Sequence, residues 1–97
     1  MPTYILLTRF TQQGLETIKD SPGRLETVKK TLQALRAKLK DFYLVTGQYD
    51  SIVVIEAPDE ETAAKASLAI GSRGNVRTET LRAFTEDEYK KIVGGLP

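Results

Sequence analysis

The sequence has no cysteine and no histidine among its 97 residues. Without cysteine there is no disulfide framework and no thiol nucleophile. Without histidine the usual general base and the commonest transition-metal ligand are missing. A charge excess is missing too: 14 Lys and Arg stand against 13 Asp and Glu, a net +1, with the signs interspersed. No basic block marks a surface that tracks phosphates, so nucleic acid is not an expected partner. Apolar runs such as Ile52–Ile55 fall far short of the about 20 residues that span a membrane. The opening "MPTYILLTRF" has neither a charged leader nor a long apolar segment, so it does not read as a signal peptide. The expectation is one soluble, cytoplasmic domain over residues 1–97 with no cofactor and no metal. So small a chain has one modest core, which encourages self-association.

What is present is periodicity. "TYILLTRF" (Thr3 to Phe10) is dense in β-formers and reads as a first strand, with Tyr4, Leu6, Thr8 and Phe10 on one face and Ile5, Leu7 and Arg9 on the other. Gly14 to Asp20 reads as a short helical turn. Ser21 then suits an N-cap and Pro22 the first helical position. Leu25, Val28, Leu32, Leu35 and Leu39 recur at spacings of three and four, which predicts one helix carried through Leu39. The lysines and arginines between them read as its solvated face.

"DFYLVT" and "SIVVIEA" read as two strands joined by "GQYD", an antiparallel hairpin in which Gly47 can take a positive φ and Asp50 can bond its backbone neighbours. Asp59, Glu60 and Glu61 open an alanine-rich helix that ends at Gly71 or Gly74. "NVRTETLRAF" reads as a fourth strand. Thr85 and Glu88 have the spacing of a capping box and open a short terminal helix ending at Gly94.

The order β-α-β-β-α-β, plus that short helix, predicts an α+β, ferredoxin-like antiparallel sheet with two helices on one face. The other face has no helix to bury it. A second copy packed sheet to sheet would cover it, giving a dimeric α/β barrel. The expected partner is therefore self, as a homodimer or higher homo-oligomer.

"GQYD", framed by "FYLVT" and "SIVVIEAPDEETAA" and followed by "GSRGNVRTETLRAF", resembles the GYD domain family over nearly the whole chain. The resemblance implies a ferredoxin-like, dimeric α/β-barrel protein with no established activity. The stretch "FYLVTGQYDSIVVIEAPDEET" is similar to the central hairpin of the ligand-sensing domain in Lrp/AsnC-type regulators. That similarity implies an amino-acid pocket at a subunit interface near Gly47, Tyr49 and Asp50. The chain has no helix-turn-helix segment, so a DNA-binding role does not carry over.

Tyr49 and Asp50 have two readings: contacts to an amine or hydroxyl ligand, or a turn aspartate with a tyrosine packed on the partner subunit. Arg77 and Glu79, two apart on the fourth strand, share a face. They read as members of a cross-strand or intersubunit ion pair, with a polar cleft as the other reading. Arg9 reads as an ordinary strand-end charge, with bidentate binding of a carboxylate inside the barrel as the other reading, and Asp41 and Tyr43 read as edge-strand decoration. "GSRGN" lacks the spacing of a phosphate-binding loop.

The function expected from these residues is binding of a small-molecule ligand at a subunit interface, through Gly47, Tyr49, Asp50, Arg77 and Glu79. A small cofactor-independent enzyme of the dimeric-barrel type and a partner-binding scaffold stand as alternatives.

Overall fold

In the computed structural model, which describes Met1–Pro97, four strands form one antiparallel sheet. Strand β1 (Thr3–Phe10) leads into a short helix α1 (Gln12–Glu16) and a 3-10 turn, then helix α2 (Ser21–Ala34). Strands β2 (Lys38–Leu44) and β3 (Ser51–Glu56) form the hairpin; helix α3 (Glu60–Gly71), strand β4 (Val76–Ala83) and helix α4 (Glu86–Gly94) complete the chain. The sheet order β2-β3-β1-β4 is the ferredoxin-like arrangement expected from the element order.

The register separates the two faces. Tyr4 opposes Ile55 and Arg82, Leu6 opposes Val53 and Thr80, and Thr8 opposes Ser51 and Thr78. Residues directly opposite share a face. This set faces the helices: Tyr4, Leu6, Val53 and Ile55 are buried with Leu32 of α2 and Ala63, Ala66 and Ile70 of α3. The alanines leave no bulk between α3 and the sheet, so the helix lies close. Asp59 caps α3 by accepting from the Thr62 N–H at 2.8 Å, and the Thr85–Glu88 capping box opens α4.

The other face carries Ile5, Leu7 and Arg9 of β1, Ile52 and Val54 of β3, and Leu81, Glu79 and Arg77 of β4. No helix covers it. Asp41 and Tyr43 extend it along the edge strand β2, opposite Val54 and Ile52. None of the helices is long and apolar enough to cross a membrane.

Two boundaries differ from the periodicity. Helix α2 stops at Ala34, and Leu39 belongs to β2. Arg36 adopts φ 59°, and the Ala37 N–H bonds Leu32 O at 2.8 Å while the Arg36 N–H bonds Gln33 O at 3.0 Å. That paired closure ends a helix in a left-handed residue. Ser21 is the first residue of α2 rather than its cap, because the 3-10 turn Ile18–Asp20 runs straight into the helix.

Candidate functional site

The β2–β3 loop folds back over the end of β1. Gly47 sits at φ 152°, a region that a side chain disfavours, and a Cβ there would meet nothing within 4 Å. The constraint at Gly47 is therefore backbone conformation, not space.

Asp50 anchors the loop three ways. Its N–H donates to Thr8 O at 2.8 Å, and its C=O accepts from the Val45 N–H at 2.9 Å. Its carboxylate accepts from the Phe10 N–H at 2.9 Å. A β1 donor beyond the ladder to β3 is thus satisfied by a side chain.

Tyr49 crosses β1 to reach β4. Its hydroxyl donates to Glu79 Oε2 at 2.5 Å. Its ring lies against Arg9, whose guanidinium carbon is 4.8 Å from the ring centroid. Arg9 Nε donates to Gln48 O at 2.9 Å. The hydrogen bond to Glu79 holds the phenol above its usual pKa, desolvation and the Glu79 charge add to this, and Arg9 opposes it. At neutral pH Tyr49 is a donor and not a phenolate.

Arg77 lies directly opposite Arg9 in the β1–β4 ladder. Like charges facing across a ladder repel. Neither takes part in any of the chain's ion pairs, which join Glu26 to Lys29, Lys40 to Glu56, Arg82 to Glu88 and Glu86 to Lys90. The expected cross-strand ion pair of Arg77 or Glu79 is not formed within the chain: the Glu79 carboxylate is engaged by Tyr49, and Arg77 is left facing Arg9.

The structure thus brings Tyr49, Glu79 and Arg77 to one end of the open face, with Gly47 and Asp50 shaping the loop that carries Tyr49. Arg9 is the member that sequence reasoning undervalued. Its alternation placed it on the face of Ile5 and Leu7, but only the register shows it opposite Arg77. Two guanidinium groups, one carboxylate and a neutral phenol can hold a group bearing a carboxylate, with Glu79 available to an ammonium.

A model of the GYD domain matches residues 4–93. A protein of Thermus thermophilus, named glutamine synthetase and cystathionine beta-lyase binding protein, is 40% identical over 85 residues, covering 87% of this chain and 90% of its own. Two solved structures from Mycobacterium tuberculosis share the fold. The leucine response regulatory protein superposes with a TM-score of 0.62 at 18% identity over 89% of this chain. A feast or famine regulatory protein, complexed with L-methionine, gives 0.63 at 18% identity over 90% of this chain. This chain spans 54% of the length of each regulator.

Proposed function

Because the chain belongs to the GYD domain family and carries two opposed arginines that join no ion pair at the end of an uncovered sheet face, we propose that it is a self-associating binding module for a small amino-acid-like metabolite. Two copies pack sheet to sheet as a dimeric α/β barrel. Ile5, Leu7, Ile52, Val54 and Leu81 supply the apolar centre of that interface. The metabolite sits where the copies meet, its carboxylate on Arg77 and Arg9 and its ammonium on Glu79, with Tyr49 beside them.

The single observation that carries this reading is the Arg9–Arg77 opposition. An unneutralised like-charge pair on a face due to be buried calls for an anion. The L-methionine complex of a regulator with the same fold supports an amino acid as that anion.

Native mass spectrometry combined with calorimetric titration of L-methionine and other L-amino acids tests it. The expected result is a dimer or higher oligomer that binds one of them. Arg77→Gln should weaken binding by about tenfold or more and keep the oligomer. Leu7→Asp should yield monomers that no longer bind. A wild-type monomer removes the interface. Undiminished binding by Arg77→Gln removes the site.

A second reading has its own support. The Thermus relative is named as a protein that binds two enzymes. In this reading the module docks on a metabolic enzyme, and a carboxylate of that enzyme meets the arginines. Co-purification with glutamine synthetase, lost in Arg77→Gln, distinguishes it from metabolite capture.

A further inference from the structure

The covered face of the sheet holds a second feature, unrelated to the hairpin. Between the first half of α2 and the ends of β1 and β3 lies a half-enclosed cavity of about 180 Å³. Its origin is visible in the ladder. Along β1 and β3 the paired side chains step from Tyr4–Ile55 and Leu6–Val53 to Thr8–Ser51. Two small hydroxyl residues stand where the helix needs two large apolar ones. Leu32 of α2 is fully buried, whereas Leu25 and Val28, two turns and one turn earlier, border the space.

The polar groups around this cavity are specific. Thr8 and Ser51 are each 4% exposed, and their hydroxyls bond one another. Two hydroxyls carry two hydrogens, and one bond between them uses only one. Neither oxygen has another partner in the chain, so one O–H donor of the pair remains unused. Arg24 and Arg73 also line the cavity. Arg24 bonds Thr17 and the Gly14 carbonyl, and Arg73 bonds the Thr31 hydroxyl at 2.8 Å. All of these acceptors are neutral, so both cations lack a carboxylate and keep spare N–H donors. No Asp or Glu lines the space. Ser21, Thr27 and Asn75 also border the space, and the rest of the wall is apolar: Leu6, Phe10, Phe42, Val53, Ile70 and Val76 with Leu25 and Val28.

We propose that this cavity binds a small apolar carboxylic acid, one carboxylate on a short aliphatic or aryl tail. The tail lies against the apolar wall, and the carboxylate accepts from the free hydroxyl hydrogen and from Arg24 or Arg73. A zwitterionic amino acid is disfavoured here, because its ammonium would enter a space with no acidic side chain. This separates the cavity from the open-face site, where Glu79 is available. Filled only by solvent, the space would hold about six waters against a largely apolar wall, which an apolar tail displaces favourably.

The test is two-dimensional NMR titration of the intact protein with 4-methylvalerate and 3-phenylpropionate. Their amides and the amino acids L-leucine and L-phenylalanine serve as matched probes. Saturable shifts at Thr8, Ser51, Val28 and Val53 are expected, with the acids bound about tenfold or more tightly than the amides or amino acids. Val28→Phe should fill the cavity and abolish binding. The pair Thr8→Val with Ser51→Ala should weaken the acids alone, which keeps a readout should Val28→Phe unfold. Equal binding of amides or amino acids, shifts confined to Tyr49, Arg77 and Glu79, or no saturable shift with any probe would overturn the proposal.

Discussion

The Tyr49 hydroxyl donates to Glu79 Oε2 at 2.5 Å across 30 positions of sequence, so the hairpin loop is latched to β4 over the top of β1. The bond favours the protonated phenol and raises the Tyr49 pKa. A group whose pKa rises on folding lends stability that is fully present below its unfolded value. That stability is lost as the pH climbs through the folded value. The latch is therefore intact at neutral pH and releases only in strongly alkaline solution. In an ultraviolet phenolate titration, the component missing from Tyr49→Phe should titrate above the usual tyrosine range. In Glu79→Gln it should move down toward that range. An unmoved Tyr49 component would mean that Glu79 does not set it.

Asp50 has a structural task that its place in the turn only half announces. Its carboxylate accepts from the Phe10 N–H, a part-buried donor on another strand. Asp50→Ala leaves that donor without a partner and should cost about 1.5–3 kcal/mol in chemical denaturation. Asp50→Asn keeps an acceptor and should cost less. An Asp50 variant thus perturbs the loop itself, which is why Arg77 is the cleaner probe of ligand binding. Equal stability of Asp50→Ala and wild type would show that the anchor contributes nothing.

Gly14 is required for space. A Cβ built on it would lie 2.1 Å from the carbonyl oxygen of Asn75. That backbone cannot retreat freely, since the Asn75 carbonyl accepts from the Thr11 N–H at 3.1 Å and the Thr11 hydroxyl donates to Gly74 O at 2.6 Å. Gly14→Ala should destabilise by about 3 kcal/mol, the upper end for overpacking. Circular dichroism melts would read the loss. A melt unchanged from wild type would mean that α1 shifts away without penalty.

The strands, the hairpin and the bare sheet face were legible because each rests on short-range alternation. Thr3 to Phe10 and Ser51 to Ile55 carry their faces in their own sequence. The meeting of Arg9 with Arg77 was not legible, because it depends on register between strands far apart in the chain. The same is true of Thr8 beside Ser51: each looks like an unremarkable strand residue until β1 and β3 pair, and only then does the gap beneath α2 exist. Leu39 misled for a different reason. It continues the three-four spacing of Leu32 and Leu35, and nothing in that spacing reveals that Arg36 turns left-handed between them.

That turn at Arg36 can be improved. Its φ of 59° places a Cβ where it crowds the following carbonyl, at a cost of about 1–2 kcal/mol relative to ordinary helix. The side chain gives nothing in return: it is exposed and joins none of the chain's ion pairs. Glycine removes the crowding but loses more entropy on folding, about 0.5–1 kcal/mol. The balance favours Arg36→Gly by about 0.5–1 kcal/mol, or about 4 °C in Tm for a domain of this size. Arg36→Val, β-branched at the same φ, should fall below wild type in the same thermal melts. If Arg36→Gly melts lower than wild type, the helix end is held by the arginine side chain rather than strained by it.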